Sequence, residues 1–258
     1  MYTKKEKKLI SQFNLEKKKR IHKQKRNFRL KKLSNAFLKE GSKIKYEYNF
    51  SFAGIPIIQY PQDIIALQEL IWKVKPDLII ETGVAHGGSV VLSAALLRLL
   101  DFEETKKNKI KRNVIAIDID IRPHNLKRLK KLNLSKYIKF YVGSSIDPFL
   151  FKKIKKIAKN YKKIIVILDS DHTKDHVYQE LQLYGQLVSK NSYMVVFDTG
   201  LNFWGAKKIK GRKFSKSNNP YQAVKKFIKT NKNFKVDKSV DNKLMITSCV
   251  GGFLRKFK

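Results

Sequence analysis

The 258-residue sequence predicts an α/β fold, a doubly wound and mostly parallel sheet with an antiparallel hairpin at its C-terminal edge. Three observations carry the expectation. From residue 61 onward, short β-rich apolar runs alternate with helix-length segments, which implies parallel strands joined by right-handed crossovers. Each run is continuously apolar, as a strand buried on both faces must be. The last two runs are separated by a short turn rather than a helix, as a hairpin requires.

Taken in order, residues 1–45 hold 17 Lys+Arg against 3 Asp+Glu, a net of 17 − 3 = +14. Leu9, Ile10, Phe13, Phe28, Leu30, Leu33 and Phe37 are scattered among these charges. The segment reads as a basic arm, one or two helices or partly disordered, of a kind that can lie on an anionic membrane or RNA or serve simply as a solvated face. After Gly54 and Pro56 the texture changes, and residues 46–258 are assigned to one domain. Pro61 suits a first helical turn, and Ile64, Leu67, Ile71 and Val74 follow at helical spacing. Strand-like runs occupy 77–81, 113–118, 138–142, 164–169 and 192–198, with helices expected near 88–101, 123–132, 147–159 and 174–189. The runs at 234–236 and 244–249 form the expected hairpin. Residues 201–220 are one long connection carrying Phe203, Trp204 and six Lys/Arg, expected to close over a bound acceptor.

Composition narrows the function classes. The lone Cys249 excludes a disulfide framework and a cysteine zinc site. The lysine-rich start has no apolar stretch of a signal peptide behind it, and the longest apolar segment, about 12 residues around Arg98, is short of a membrane span. A soluble, cytoplasmic protein is expected. The net charge of +36 invites a nucleic-acid partner. Of the 57 basic residues, however, only 9 are Arg, the side chain whose planar fork suits phosphate and base recognition, so nucleic acid is not the favoured partner.

In a sheet of this type ligands bind beyond the carboxyl ends of the strands, and those ends are polar here. The first ends in Glu81-Thr82-Gly83 and runs through Gly87, Gly88 and Ser89 into a helix, whose first N–H groups are free for polar or anionic atoms. The second ends in Asp118, placed to accept both ribose hydroxyls of a nucleoside. The third ends in Gly143-Ser144-Ser145, with Asp147 behind, where an adenine ring fits. The fourth and fifth end in Asp169 and Asp198, expected side by side and able to share a divalent cation such as Mg²⁺. His172 is expected to line the site as proton acceptor or hydrogen-bond donor, and His176 to be a surface residue.

These blocks carry a family resemblance. Gly54-Ile55-Pro56, Gln59-Tyr60-Pro61-Gln62-Asp63, Ile80-Glu81-Thr82-Gly83, Gly87-Gly88-Ser89, Ile117-Asp118-Ile119 with Arg122, Gly143-Ser144-Ser145, Leu168-Asp169-Ser170-Asp171-His172 and Val195-Val196-Phe197-Asp198-Thr199 resemble the cephalosporin hydroxylase and rhamnosyl O-methyltransferase family. The resemblance implies a Rossmann-like, seven-stranded methyltransferase sheet and S-adenosylmethionine as cofactor, contacted by Glu81, Gly83, Gly87, Ser89, Asp118, Ser144 and Asp147. It implies Mg²⁺ on Asp169 and Asp198. Asp169 and His172 are the expected catalytic residues, and a sugar, polysaccharide or glycolipid hydroxyl is the expected acceptor. A homo-oligomer is expected. Phe197 departs from the acidic residue that relatives can carry there, which leaves the metal without that third protein ligand. The rival hydroxylase reading lacks a 2-His-1-carboxylate iron set at convincing spacing.

Overall fold

The structure, a computed structural model, describes residues 2–104, 110–204 and 214–258. The basic arm is two helices, α1 (Lys4–Arg26) and α2 (Phe28–Lys43). A capping box between Thr3 and Glu6 starts α1, and the Asn27 side chain accepts the Leu30 N–H to start α2. A 3₁₀ turn at Tyr46–Asn49 leads to a small hairpin, β1 (Phe50–Phe52) and β2 (Ile55–Ile57), and then to α3 (Pro61–Val74), with Pro61 in its first turn.

The alternating pattern follows as the sequence predicts: β3 (Leu78–Thr82), α4 (Gly88–Glu103), β4 (Asn113–Asp118), α5 (Pro123–Lys130), β5 (Ile138–Val142), α6 (Pro148–Ala158), β6 (Ile164–Leu168), α7 (Lys174–Gly185) and β7 (Tyr193–Val196). A single helical turn, α8 (Leu201–Trp204), precedes α9 (Pro220–Thr230), β8 (Phe234–Val236), α10 (Lys238–Leu244) and β9 (Phe253–Lys256). The seven-stranded sheet has the order β5-β4-β3-β6-β7-β9-β8, parallel through β7 and antiparallel for β9 and β8.

The antiparallel edge is present, but its second strand is not the 244–249 run. Leu244 ends α10, and Thr247, Ser248 and Cys249 lie in the loop that follows it. Asp63 explains why this polar stretch is buried. Its carboxylate accepts from the Ser248 N–H (2.8 Å), the Ser248 hydroxyl (3.2 Å) and the Thr247 hydroxyl, tying the first turn of α3 to the loop before β9.

Because both faces of the sheet are covered, side chains alternate between two cores. Ile79, Val114, Ala116, Ile165, Ile167 and Val195 pack beneath α3 and α4, while Ile80, Ile115, Ile117, Val166, Met194 and Val196 pack with residues of α6, α7 and α9. Burying each such aliphatic side chain contributes roughly 1.5–3 kcal/mol.

The first helix of the arm is docked lightly, whereas α2 buries Ser34, Leu38 and Gly41. No residue of α1 is buried; Gln24 Nε2 donates to the Lys243 carbonyl of α10 (2.9 Å), and Lys17 and Lys243 pair with Glu69 of α3. Among the described residues no helix is long and apolar enough to cross a membrane.

Candidate active site

The parallel strands deliver their polar ends to one rim. Backbone hydrogen bonds carry the ladder past the strands, from Gly83 N–H to Ile117, Asp169 N–H to Thr82 and Phe197 N–H to Leu168. This register fixes Gly83, Asp169 and Phe197 in adjacent rows. Gly83 adopts φ +89, and a Cβ there would collide with the Asp169 carbonyl. Gly88 is similarly pressed against the Pro56 carbonyl and Ile57. Both glycines are therefore required by the chain's own packing, before any ligand is considered.

Asp118 serves that turn. Its Oδ2 accepts from Val84 N–H (2.7 Å) and Ala85 N–H (3.2 Å), and its Oδ1 from Asp120 N–H (3.0 Å). A carboxylate has about four acceptor positions, so these three bonds leave one. Glu81, 1% exposed, accepts from the hydroxyls of Ser89 and of Ser93 (3.3 Å), and burial pushes its carboxyl up to about 7. Residues 56–59, 83–89 and Asp169 line one pocket above this turn. Gly87, at φ +92, caps α4 without any side-chain hydrogen bond.

At the end of β5, Asp147 caps α6 through the Leu150 N–H (2.7 Å), and the Ser144 carbonyl accepts from Asp147 N–H (3.0 Å). His176 is not a surface residue. Its Nε2 lies 3.0 Å from the Ser145 hydroxyl, 3.4 Å from that of Ser170 and 3.6 Å from Glu180 Oε1, and Ser170 donates to the same carboxylate oxygen (2.7 Å). Helix α7 turns His176 inward over Glu180, which is fully buried, and the pairing holds the imidazole above its ordinary pKa despite burial. His172 precedes α7, so the two histidines do not share a helix face.

Asp169, His172 and Asp198 come together. One ligand atom from each can be chosen so that all lie within 4.8 Å of one another, and His172 Nε2 is 3.1 Å from Asp198 Oδ2. Burial, then the charges of Asp198 and Glu81, drive the Asp169 carboxyl well above the usual range. Asp198 sits at φ +55, a left-handed conformation that costs a non-glycine residue of order 1–3 kcal/mol and clusters at functional sites. Two carboxylates and an imidazole suit a divalent cation, and differ from the 2-His-1-carboxylate set of iron oxygenases. Phe214 returns against the His172 ring, with centroids 6.0 Å apart. Of the connection expected to close over an acceptor, residues 205–213 with five of its six basic side chains lie outside the described residues.

Two nearby side chains had no role assigned from the sequence. Glu47, from the 3₁₀ turn, is half-buried with Oε2 unpartnered; burial and then, among other causes, the charge of Asp198 raise its pKa. Gln59, 3% exposed, lies close enough to Asp169 to stabilise its anion, yet neither of its amide atoms makes a hydrogen bond of good geometry. A lone amide between Ile57-Ile58 and Tyr60 was the available signal.

Residues 44–257 match the family described as Rhamnosyl O-methyltransferase/CmcI. The chain is 30% identical over 206 residues to a rhamnosyl O-methyltransferase of Mycobacterium tuberculosis, covering 79% of this chain and 77% of that protein. The Mycobacterium leprae protein of the same name is 29% identical over 153 residues, covering 59% and 61%. Among solved structures, apo CmcI superposes with TM-score 0.56 at 17% identity, covering 82% of this chain and 77% of that one. CmcI with Mg and SAM superposes with TM-score 0.53 at 16% identity, covering 82% and 78%. These superpositions establish a common fold.

Proposed function

The chain belongs to the Rhamnosyl O-methyltransferase/CmcI family and is an S-adenosylmethionine-dependent O-methyltransferase, and we propose that its acceptor is a hydroxyl of a sugar, polysaccharide or glycolipid, with Mg²⁺ assisting. The observation that carries this reading is the convergence of Asp169, His172 and Asp198 beside the pocket above Gly83. In the reaction a methyl group leaves the donor's sulfonium sulfur, the acceptor oxygen forms the new bond, and the hydroxyl proton is lost. Such an in-line displacement asks the protein mainly for alignment.

Each strand end takes part of that task. Asp118 offers its remaining acceptor position to the donor's ribose, and Ser144 and Asp147 border the adenine. Glu81 and Ser89, bonded to each other, set the floor of the turn, and Gly83 and Gly87 keep it low enough for a ligand. His172 takes the hydroxyl proton, and Asp198 beside it stabilises the imidazolium that results. Asp169 and Asp198 would hold Mg²⁺, which there would lower the pKa of the acceptor hydroxyl.

The arm contributes location. Leu9 and Phe13 on α1 and Leu33 on α2 are exposed among lysines, a surface that fits anionic lipid and would hold the enzyme near a membrane-embedded glycolipid.

The test is transfer of labelled methyl from S-adenosylmethionine to a rhamnosyl-bearing acceptor, with Mg²⁺ or with EDTA. Label in the sugar, strongly reduced by EDTA, is expected. Failure to bind the donor would sink the whole reading, and equal transfer in EDTA would remove the metal alone.

A further inference from the structure

We propose that Gln59 grips the α-amino-acid end of the methyl donor, reading its ammonium and carboxylate with the two ends of one buried amide. The inference rests on the donor assignment above and adds a residue to it. Gln59 is 97% buried, and neither Oε1 nor Nε2 has a hydrogen-bond partner of good geometry. Leaving buried polar atoms unpaired is costly, and native proteins rarely keep them without a use. A leucine would fill this volume between buried Ile57 and Tyr60 without that cost, and the amide approaches the Asp169 carboxylate without a hydrogen bond of good geometry, so neither packing nor that neighbour satisfies both of its ends.

The surroundings define what the amide waits for. Gln59 lines the same pocket as the first turn of α4, a 16-residue helix capped by Gly87 with no side-chain hydrogen bond and no acidic residue in its first turn. Its leading N–H groups and dipole favour a carboxylate. Gln59 Nε2 supplies one more donor to that anion, and Oε1 supplies the acceptor an ammonium requires. Along the rim, Asp118 at the end of β4 lies to one side of this pocket, while Asp169, which lines it, and Asp198 follow β6 and β7 on the other. A donor whose ribose meets Asp118 and whose methyl points toward Asp169 therefore lays its amino-acid end over β3, where Gln59 stands.

The discriminating experiment compares two ligands on wild type and on Gln59→Leu by calorimetric titration. S-adenosylhomocysteine carries the amino-acid end; 5′-methylthioadenosine shares the nucleoside and lacks it. Gln59→Leu is expected to weaken S-adenosylhomocysteine about 10- to 100-fold and 5′-methylthioadenosine less than about twofold. Thermal unfolding without ligand should show the variant close to wild type, because the amide's approach to the Asp169 carboxylate lacks good hydrogen-bond geometry. Gln59→Glu, which sets a second anion against the carboxylate, should show the same ligand selectivity. Equal weakening of both ligands, unchanged affinity for both, or a loss of ligand-free stability that tracks the loss of affinity would overturn the proposal. If wild type binds neither ligand, the donor assignment itself fails and this inference with it.

Discussion

His172 Nε2 lies 3.1 Å from Asp198 Oδ2, so the loop after β6 and the end of β7 meet through one side-chain contact. The contact places an imidazole where an acceptor proton must go and a carboxylate where the resulting charge can be balanced. His172→Ala should lower kcat by about 10²-fold or more with little change in donor affinity. Single-turnover methyl transfer and a parallel donor titration check this, and equal losses in both would assign His172 to binding instead.

Gly83→Ala should destabilise the fold by about 2 kcal/mol or more, because φ +89 is strained for alanine and the new Cβ meets the Asp169 carbonyl. Urea unfolding measures it. Donor affinity should fall together with stability, because the same displacement moves Asp169.

Burial pushes the Asp63 carboxyl from 3.8 up to about 7, although Thr247 and Ser248 donate to it. Between about pH 4 and pH 7 the folded chain keeps a proton that the unfolded chain releases. Stability contributed by this group therefore falls as pH rises through that window. Glu81, also pushed up to about 7, contributes with the same sign. Asp63→Asn should flatten part of this slope, since Asp169 and Asp241 are raised as well, while costing stability at every pH through the acceptor it removes from Ser248. Denaturant midpoints from pH 4 to pH 8 test the slope.

Substituting Glu for Lys7, Lys8 and Lys18 should abolish flotation of the protein with vesicles rich in anionic lipid while leaving methyl transfer to a soluble acceptor unchanged. Retained flotation, or flotation equally strong with neutral vesicles, would remove the arm's membrane role.

Much of the fold was legible because strands buried on both faces leave uninterrupted apolar runs. Runs such as 164–168 can be little else between helix-length segments. The 244–249 run misled because apolarity alone does not separate a strand from a loop buried by another element. Asp63, about 185 positions away, is what buries Thr247 and Ser248, and no local pattern reveals it. The site shows the same division. Asp169 and Asp198 were readable as acids at strand ends, and His172 as their neighbour. His176 was misread because its inward turn depends on Glu180 and on Ser145 from a different strand end. Gln59, although part of the resembling 59–63 block, received no role, since no local pattern shows that its buried amide lacks good partners.

The position of β9 bears on how the polypeptide matures. It pairs with β7 on one side and β8 on the other, so the strand that comes later in the chain is threaded between two that come earlier. A nascent chain whose residue 256 is still inside the ribosome can assemble β3 to β7 but leaves the flank of β7 open and β8 without a neighbour. During that interval Met194 and Val196 line an unfinished margin able to recruit foreign strands, the period in which a chaperone has most to guard.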